Sequence, residues 1–322
     1  MVSDAVEAQA FGIAGGGKDL WAMLFYKGQL VRVDERTDNG GRGSADYRDR
    51  LLMSNRPREP TTDRWIGAEA YEGYIGRWGR PVAKRFVEWL AWPRAERWIE
   101  VGCGTGALTE TILAGAEPSQ VVALDPSESF VEAARGRIQD ERVKFEMASA
   151  DALPASSGAF DIAVSGLVMN FVPDVGRALA EQCRVVRPGG CVAGYVWDYG
   201  GGMQLIRAFW DAAVALDPGV RERDQAERFP LARADALKVA WQAAGLRDVE
   251  VEGIDVPTRF VDFDDYWSPF LGGVGPAPGY AVSLPAAARE RLHERLRETL
   301  PIAGDGSISL KARAWAVKGI VP

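Results

Sequence analysis

Between Arg97 and Trp197 the chain alternates short, mostly apolar runs with longer stretches whose apolar residues recur every three or four positions. RWIEV (97–101), QVVAL (120–124), VKFEMAS (143–149), FDIAVSG (160–166) and CVAGYVW (191–197) predict five strands. Near-continuous apolarity is the pattern of strands covered on both faces of a parallel sheet. Helices are predicted between them: from about Thr105 to Ala114, from a Ser127 N-cap to about Gln139, and from an Asp174 cap to about Val186. Further on, ALKVAWQAAGL (236–246) predicts a helix that ends at Gly245. VEVEGIDVPTRF (249–260) and SISLKARAWAVKGI (307–320) predict two more strands. LPAAARERLHERLRETL (284–300) is an amphipathic helix with Leu292, Leu296 and Leu300 on its apolar stripe.

Upstream, Tyr71, Tyr74, Ile75 and Trp78 recur at helical spacing. Gly79 is expected to break that run and Pro81 to open a second helix striped by Val82, Phe86, Trp89 and Leu90. Residues 1–60 show no sustained period, although LWAMLFYKGQLVRV could hold a strand or two. Met53 begins a stretch that reads like an ordinary N-terminus, so residues 1–52 are expected to be a poorly structured extension or an upstream reading-frame artefact. The expected organisation is an extension over 1–60 and one domain over 61–322. That domain would carry a helical lid (68–92) and substrate-side insertions (198–232 and 261–305).

Composition narrows the field. Hydrophobic residues make up 47% of the 322, which supports a large core. Lys and Arg number 38 against 45 acidic residues, a net charge of −7, which disfavours a nucleic-acid partner. Cys103, Cys183 and Cys191 form no CxxC pair, so neither a zinc site nor a disulfide framework is expected. The single histidine, His293, leaves little for a metal site or a His-based mechanism, and its charged helical setting reads as a solvated surface. With no apolar run of membrane-spanning length and no signal segment, a cytoplasmic protein is expected.

The candidate chemistry centres on WIEVGCGTGALTETI (98–112). Gly102, Gly104 and Gly106 fall where a strand meets a helix, so a backbone turn can pass close beneath a ligand. Gly102-x-Gly104-x-x-Ala107 also satisfies a relaxed dinucleotide pattern, which keeps a nicotinamide oxidoreductase open. Glu100, two residues before the turn, would repel a pyrophosphate and suits a ligand's ammonium. Asp125, ending the second strand, can accept both hydroxyls of a ribose. Asp151, after the third strand, can meet an adenine amino group. Arg187-Pro188-Gly189-Gly190 reads as a tight turn before the fifth strand.

With these features the sequence resembles the class I S-adenosylmethionine-dependent methyltransferases, in particular the ubiquinone/menaquinone C-methyltransferase type, over roughly residues 68–322. EVGCGTG, ALDPS, SADALP, FDIAVSGLVMNFVPD and RVVRPGGCVAGYVW resemble the family's successive motifs. The resemblance implies a Rossmann-like α/β fold. Its sheet has seven strands in the order 3-2-1-4-5-7-6, strand 7 antiparallel, with helices on both faces. It also implies S-adenosylmethionine as cofactor. Gly102, Gly104, Thr105 and Gly106 would line its methionine part, Asp125 and neighbouring Pro126 would meet the ribose, Asp151 and Ala152 would bound the adenine, and Ser165 would touch the ligand from the fourth strand end.

Methyl transfer is an in-line displacement, so positioning in a dry pocket dominates. Asp198 and Tyr199, past the fifth strand, are the candidate catalytic residues, though Asp198 could equally begin the turn into Gly200. The sequence around Asn170 lacks the N-P-P-aromatic motif of nucleic-acid and release-factor N-methyltransferases. Tyr71, Tyr74, Asn170 and Trp267 are expected on the substrate side, within an aromatic set that suits a small apolar or aromatic acceptor. Arg77 reads either as a partner of the cofactor carboxylate or as an ordinary surface residue. A non-catalytic cofactor-binding regulator is the other alternative.

Overall fold

Numbered as they follow Arg97 along the chain, seven strands pair into one mixed sheet in the order 3-2-1-4-5-7-6. The chain is seen in a computed structural model that describes residues 72–94 and 96–322, with the backbone of three strands nearer the start. Those are β1 (Gln9–Ile13), β2 (Leu20–Tyr26) and β3 (Gln29–Glu35), an antiparallel sheet of its own. The stretch expected to hold a strand or two therefore holds a hairpin, β2–β3, and β1 adds a strand the periodicity did not show. Tyr71 and most of residues 1–60 lie outside the described residues.

In the large sheet β4 (Arg97–Val101), β5 (Gln120–Asp125), β6 (Val143–Met147), β7 (Phe160–Gly166) and β8 (Val186–Trp197) run parallel. The last strand, β10 (Ile308–Ile320), inserts antiparallel between β8 and β9 (Arg247–Phe260). This is the expected order. The chain leaves β4 outward through β5 and β6 and then returns to β7 on β4's other side. The carboxyl ends of β4 and β7 thus flank the switch point at which open α/β sheets bind ligands.

Side chains alternate between the two faces, and both are covered. Trp98, Val121, Ile162 and Val164 meet helices α1 (Arg77–Leu90), α2 (Ala107–Gly115), α3 (Glu128–Arg137) and α5 (Gln204–Leu216). Ile99, Val101, Ala163 and Val192 meet α4 (Val175–Val185) and α6 (Ala234–Ala243). Trp241 anchors α6 to the sheet, its ring N–H donating to the Val192 carbonyl at 3.1 Å. Gly245, at φ +86°, ends α6 as expected. Among the described residues no helix is long and apolar enough to cross a membrane.

Several local expectations are corrected. Gly79 does not break the N-terminal helix and Pro81 does not start one: α1 runs through both, after a π-helical turn, Glu72–Gly76. At Gly79 a Cβ would meet Leu167 at 3.7 Å, an ordinary contact, so the helix passes without any need for glycine there. Ser127 sits at the N-cap of α3, but its hydroxyl pairs with that of Ser129 at 3.0 Å and caps nothing. Arg187–Gly190 is a bulge inside β8, clasped by Val321, where a side chain on Gly190 would collide with the Asp161 carbonyl. His293, on α9 (Ala286–Thr299), is not a solvated surface residue: its ring packs edge-on to Phe263 and Trp267, 4.9 and 5.4 Å between centroids. The insertions carry helices that periodicity did not reveal: α5, α7 (Phe263–Trp267) and α8 (Pro276–Ser283).

Candidate active site

The glycine turn leaves β4 at Val101 and enters α2 at Ala107. Its three glycines adopt left-handed φ values of +78°, +53° and +87°. At Gly102 a side chain is also excluded by space: a Cβ would come within 2.5 Å of Val168. The turn is tied to the neighbouring strand because the Gly102 and Cys103 amides both donate to the Leu124 carbonyl, at 2.7 and 2.8 Å. At Gly104, by contrast, a Cβ would meet nothing within 4 Å. The backbone there faces open space.

Asp125, the last residue of β5, locks this geometry. One carboxylate oxygen accepts the Gly104 N–H at 3.0 Å and the other the Ser127 N–H at 2.9 Å. Burial raises the Asp125 carboxyl and these two N–H donors oppose the rise. Glu100 lies deeper, 1% exposed, and accepts the Thr109 hydroxyl at 2.6 Å. Burial, aided by the nearby Asp125 charge, pushes it up to about 7 against the Thr109 hydrogen bond. Its carboxyl is therefore held beneath the turn and is not presented on its open side.

Asp151 and Ala152 form a turn after β6. The Arg177 guanidinium donates to the Asp151 carbonyl at 3.0 Å, and Ala152 is exposed. Pro126 is exposed beside Asp125. Sequence reasoning overlooked Met147, which pairs with Asp125 across β5 and β6 and is 56% exposed at the same sheet edge. Its signal was available: a large apolar residue at the end of a strand whose neighbours carry the site. Ser165 does not join the group. Its hydroxyl is fully buried against Gly194, where a Cβ would approach within 2.6 Å.

Beyond the ends of β7 and β8 lies an aromatic wall. Phe171 contacts Phe229, and Phe229 contacts Tyr199, with centroids 5.0 and 5.6 Å apart. From the other side Tyr74 meets Phe270 at 5.3 Å, and Phe270 stacks on Phe209 at 4.6 Å. Trp267 and Tyr266 extend the same cluster. The Tyr74 hydroxyl and the Asn170 amide oxygen are buried there without a protein partner. Burial, reinforced by the Tyr199 and Tyr266 phenols, raises Tyr74 well above the ordinary tyrosine value, so its hydroxyl is a donor. The Asp198 carboxylate accepts the Gly200 N–H at 3.1 Å and thereby starts the turn into Gly200. Tyr199 is 2% exposed in the wall.

The N-terminal helix closes over these parts through long-range contacts that local patterns do not encode. Arg77 is not an ordinary surface residue: it pairs with Asp265 at 2.8 Å and stacks over Trp78 and Phe260. Glu72 reaches the glycine turn and accepts the Thr105 hydroxyl at 2.5 Å.

Comparison with known proteins places this arrangement in context. Residues 99–194 match the profile of a methyltransferase domain family. A ubiquinone/menaquinone biosynthesis C-methyltransferase of Dinoroseobacter shibae is 35% identical over 108 residues, 32% of this chain and 43% of that protein. A malonyl-[acyl-carrier protein] O-methyltransferase of Geobacter sulfurreducens is 28% identical over 239 residues, 73% of this chain and 85% of that protein. The chain spans less than half the length of several curated relatives that it matches. Among solved structures, a Haemonchus contortus phosphoethanolamine N-methyltransferase covers 97% of this chain and 71% of its own, with a TM-score of 0.52 at 15% identity, a likeness of fold.

Proposed function

We propose that this chain is a class I S-adenosylmethionine-dependent methyltransferase and that it methylates a small apolar or aromatic molecule. The observation that carries the cofactor assignment is the Asp125 carboxylate at the end of β5, fastened to the glycine turn through the Gly104 amide. Each of its oxygens accepts one N–H and retains acceptor capacity for a ribose hydroxyl. The open backbone at Gly104, with Gly102, Thr105 and Gly106, suits the methionine part. Asp151, Ala152, Pro126 and the exposed Met147 would bound the adenine. Ser165 is left out of this set because its hydroxyl is enclosed in the sheet.

The donor set argues against a pyrophosphate. Two carboxylates, Glu100 and Asp125, lie at the turn, where a dinucleotide would bring negative charge. S-adenosylmethionine brings the reverse: a sulfonium-activated methyl group and an ammonium. Glu100, held beneath the turn by Thr109 and pushed up to about 7, would be drawn toward its charged form by that positive charge.

On the acceptor side, the wall of Tyr74, Phe171, Tyr199, Trp267 and Phe270 excludes water and offers planar contact. Tyr74 O–H and the Asn170 amide oxygen are a donor and an acceptor waiting for polar atoms of the substrate. Asp198 serves as a turn residue and Tyr199 as part of the wall. Catalysis then rests on alignment and desolvation of an acceptor that needs no strong protein base. The relatives' descriptions name quinone biosynthesis and a malonyl group on acyl-carrier protein, and the aromatic wall favours an acceptor of the first kind.

Incubating the protein with isotopically labelled S-adenosylmethionine and a metabolite extract tests this reading. The expected product is an aromatic or largely apolar compound that gains one labelled methyl group. Binding of S-adenosylhomocysteine with no labelled product would support a non-catalytic binder instead.

A further inference from the structure

The Glu72 carboxylate joins the start of the helical run that carries Arg80 to the glycine turn. It lies over the glycine turn, 33 residues before Thr105, whose hydroxyl it accepts at 2.5 Å. Arg80 donates to it at 2.6 and 3.3 Å and also reaches the Glu110 carboxylate at 3.7 Å, and Arg137 approaches to 3.4 Å. Burial works to raise this carboxyl, but the hydrogen bonds from Arg80 and Thr105 outweigh it and hold it below the usual range. Thr105 also precedes Gly106, the N-cap of the nine-residue α2, whose first turn has no side-chain cap. A hydroxyl and two guanidinium groups therefore converge on one carboxylate beside the glycine turn.

We infer that Thr105, Arg80 and Arg137 form the subsite for the carboxylate of the ligand's amino-acid end, and that Glu72 holds this subsite in this structure as an internal stand-in. The inference rests on the S-adenosylmethionine reading of the glycine turn. The Thr105 hydroxyl has one proton to donate, and two carboxylates side by side would repel. The ligand's carboxylate therefore displaces Glu72 and takes over its donors. Glu72 and Tyr74 share one π-helical turn, Glu72–Gly76, so the exchange also releases the segment that carries the Tyr74 side of the aromatic wall. Filling of the cofactor site and opening of the acceptor wall become linked. The linkage runs both ways, since whatever holds the turn away from Thr105 also favours the ligand.

The test compares two probes by calorimetry. S-adenosylhomocysteine carries the carboxylate; 5′-methylthioadenosine keeps the nucleoside and thioether but lacks it. Glu72→Gln is expected to bind S-adenosylhomocysteine about tenfold tighter than the wild type and 5′-methylthioadenosine unchanged, the scale of one charge-assisted interaction. Arg80→Gln is expected to weaken S-adenosylhomocysteine about tenfold and leave 5′-methylthioadenosine unchanged. Equal or weaker binding of S-adenosylhomocysteine by Glu72→Gln overturns the inference while leaving the cofactor reading intact. So does an equal gain for both probes, which would make Glu72 a steric block and nothing more. If the wild type and both variants fail to bind S-adenosylhomocysteine, the cofactor reading falls and the inference with it.

Discussion

Two acidic residues at adjacent strand ends behave differently because their surroundings differ. Asp125 is fastened by two backbone N–H groups, so its position is set before any ligand arrives. Glu100 is sealed in with a single hydroxyl donor and is pushed up to about 7. A carboxyl raised in the folded state binds a proton more tightly there than in the unfolded chain. Its contribution to stability is complete below the unfolded value near 4.5 and is lost as pH rises through about 7. Unfolding free energy should therefore fall by on the order of 3 kcal/mol across that window, and Glu100→Gln should flatten the fall. Denaturant titrations at a series of pH values check this; an identical slope in the variant would show that another group is responsible. Both acids were legible in the sequence because each lies within a few residues of a strand end that periodicity could place. Glu72 was not legible, since its importance comes from a partner 33 residues away.

At the scale of elements, the turn between β4 and α2 depends on glycine most strictly at position 102. Gly102→Ala would combine left-handed strain with a contact 2.5 Å from Val168. The expected cost is about 1–3 kcal/mol from the backbone alone, with further loss as Val168 and the following Met169–Phe171 turn shift. Chemical denaturation measures it, and a variant as stable as the wild type would show that the turn relaxes freely. The strands β4, β5, β7 and β8 could be read from the chain because burial on both faces leaves runs with few polar interruptions. The helices α7 and α8 could not. They are short, α8 holds Pro278 and Gly279, and both are formed by packing of residues such as Tyr266, Trp267 and Tyr280 into the core. The same tertiary packing explains His293, whose charged neighbours in sequence hid the aromatic slot it fills. The π turn before α1 likewise has no local signature, since Gly79 and Pro81 pointed to a break, whereas α1 continues through both with Val82, Ala83 and Phe86 buried in the core.

For the molecule as a whole, the sheet order gathers the glycine turn, Asp125, Met147 and the β6 turn at one edge, and the insertions carry the aromatic cluster. The contact of Arg77 with Asp265, 188 residues apart, ties the N-terminal helix to the second insertion. A seven-stranded scaffold of this order supports many chemistries, so function rests on the site and not on the fold. The account's central claim is that this edge binds S-adenosylmethionine through Asp125. The most direct measurement is calorimetric titration of S-adenosylhomocysteine, with NADH as comparison, into the wild type and Asp125→Ala. The account predicts one S-adenosylhomocysteine bound per chain, no NADH bound, and a loss of about 1–3 kcal/mol in the variant. Binding of NADH in preference, or an affinity for S-adenosylhomocysteine that Asp125→Ala leaves unchanged, would contradict it.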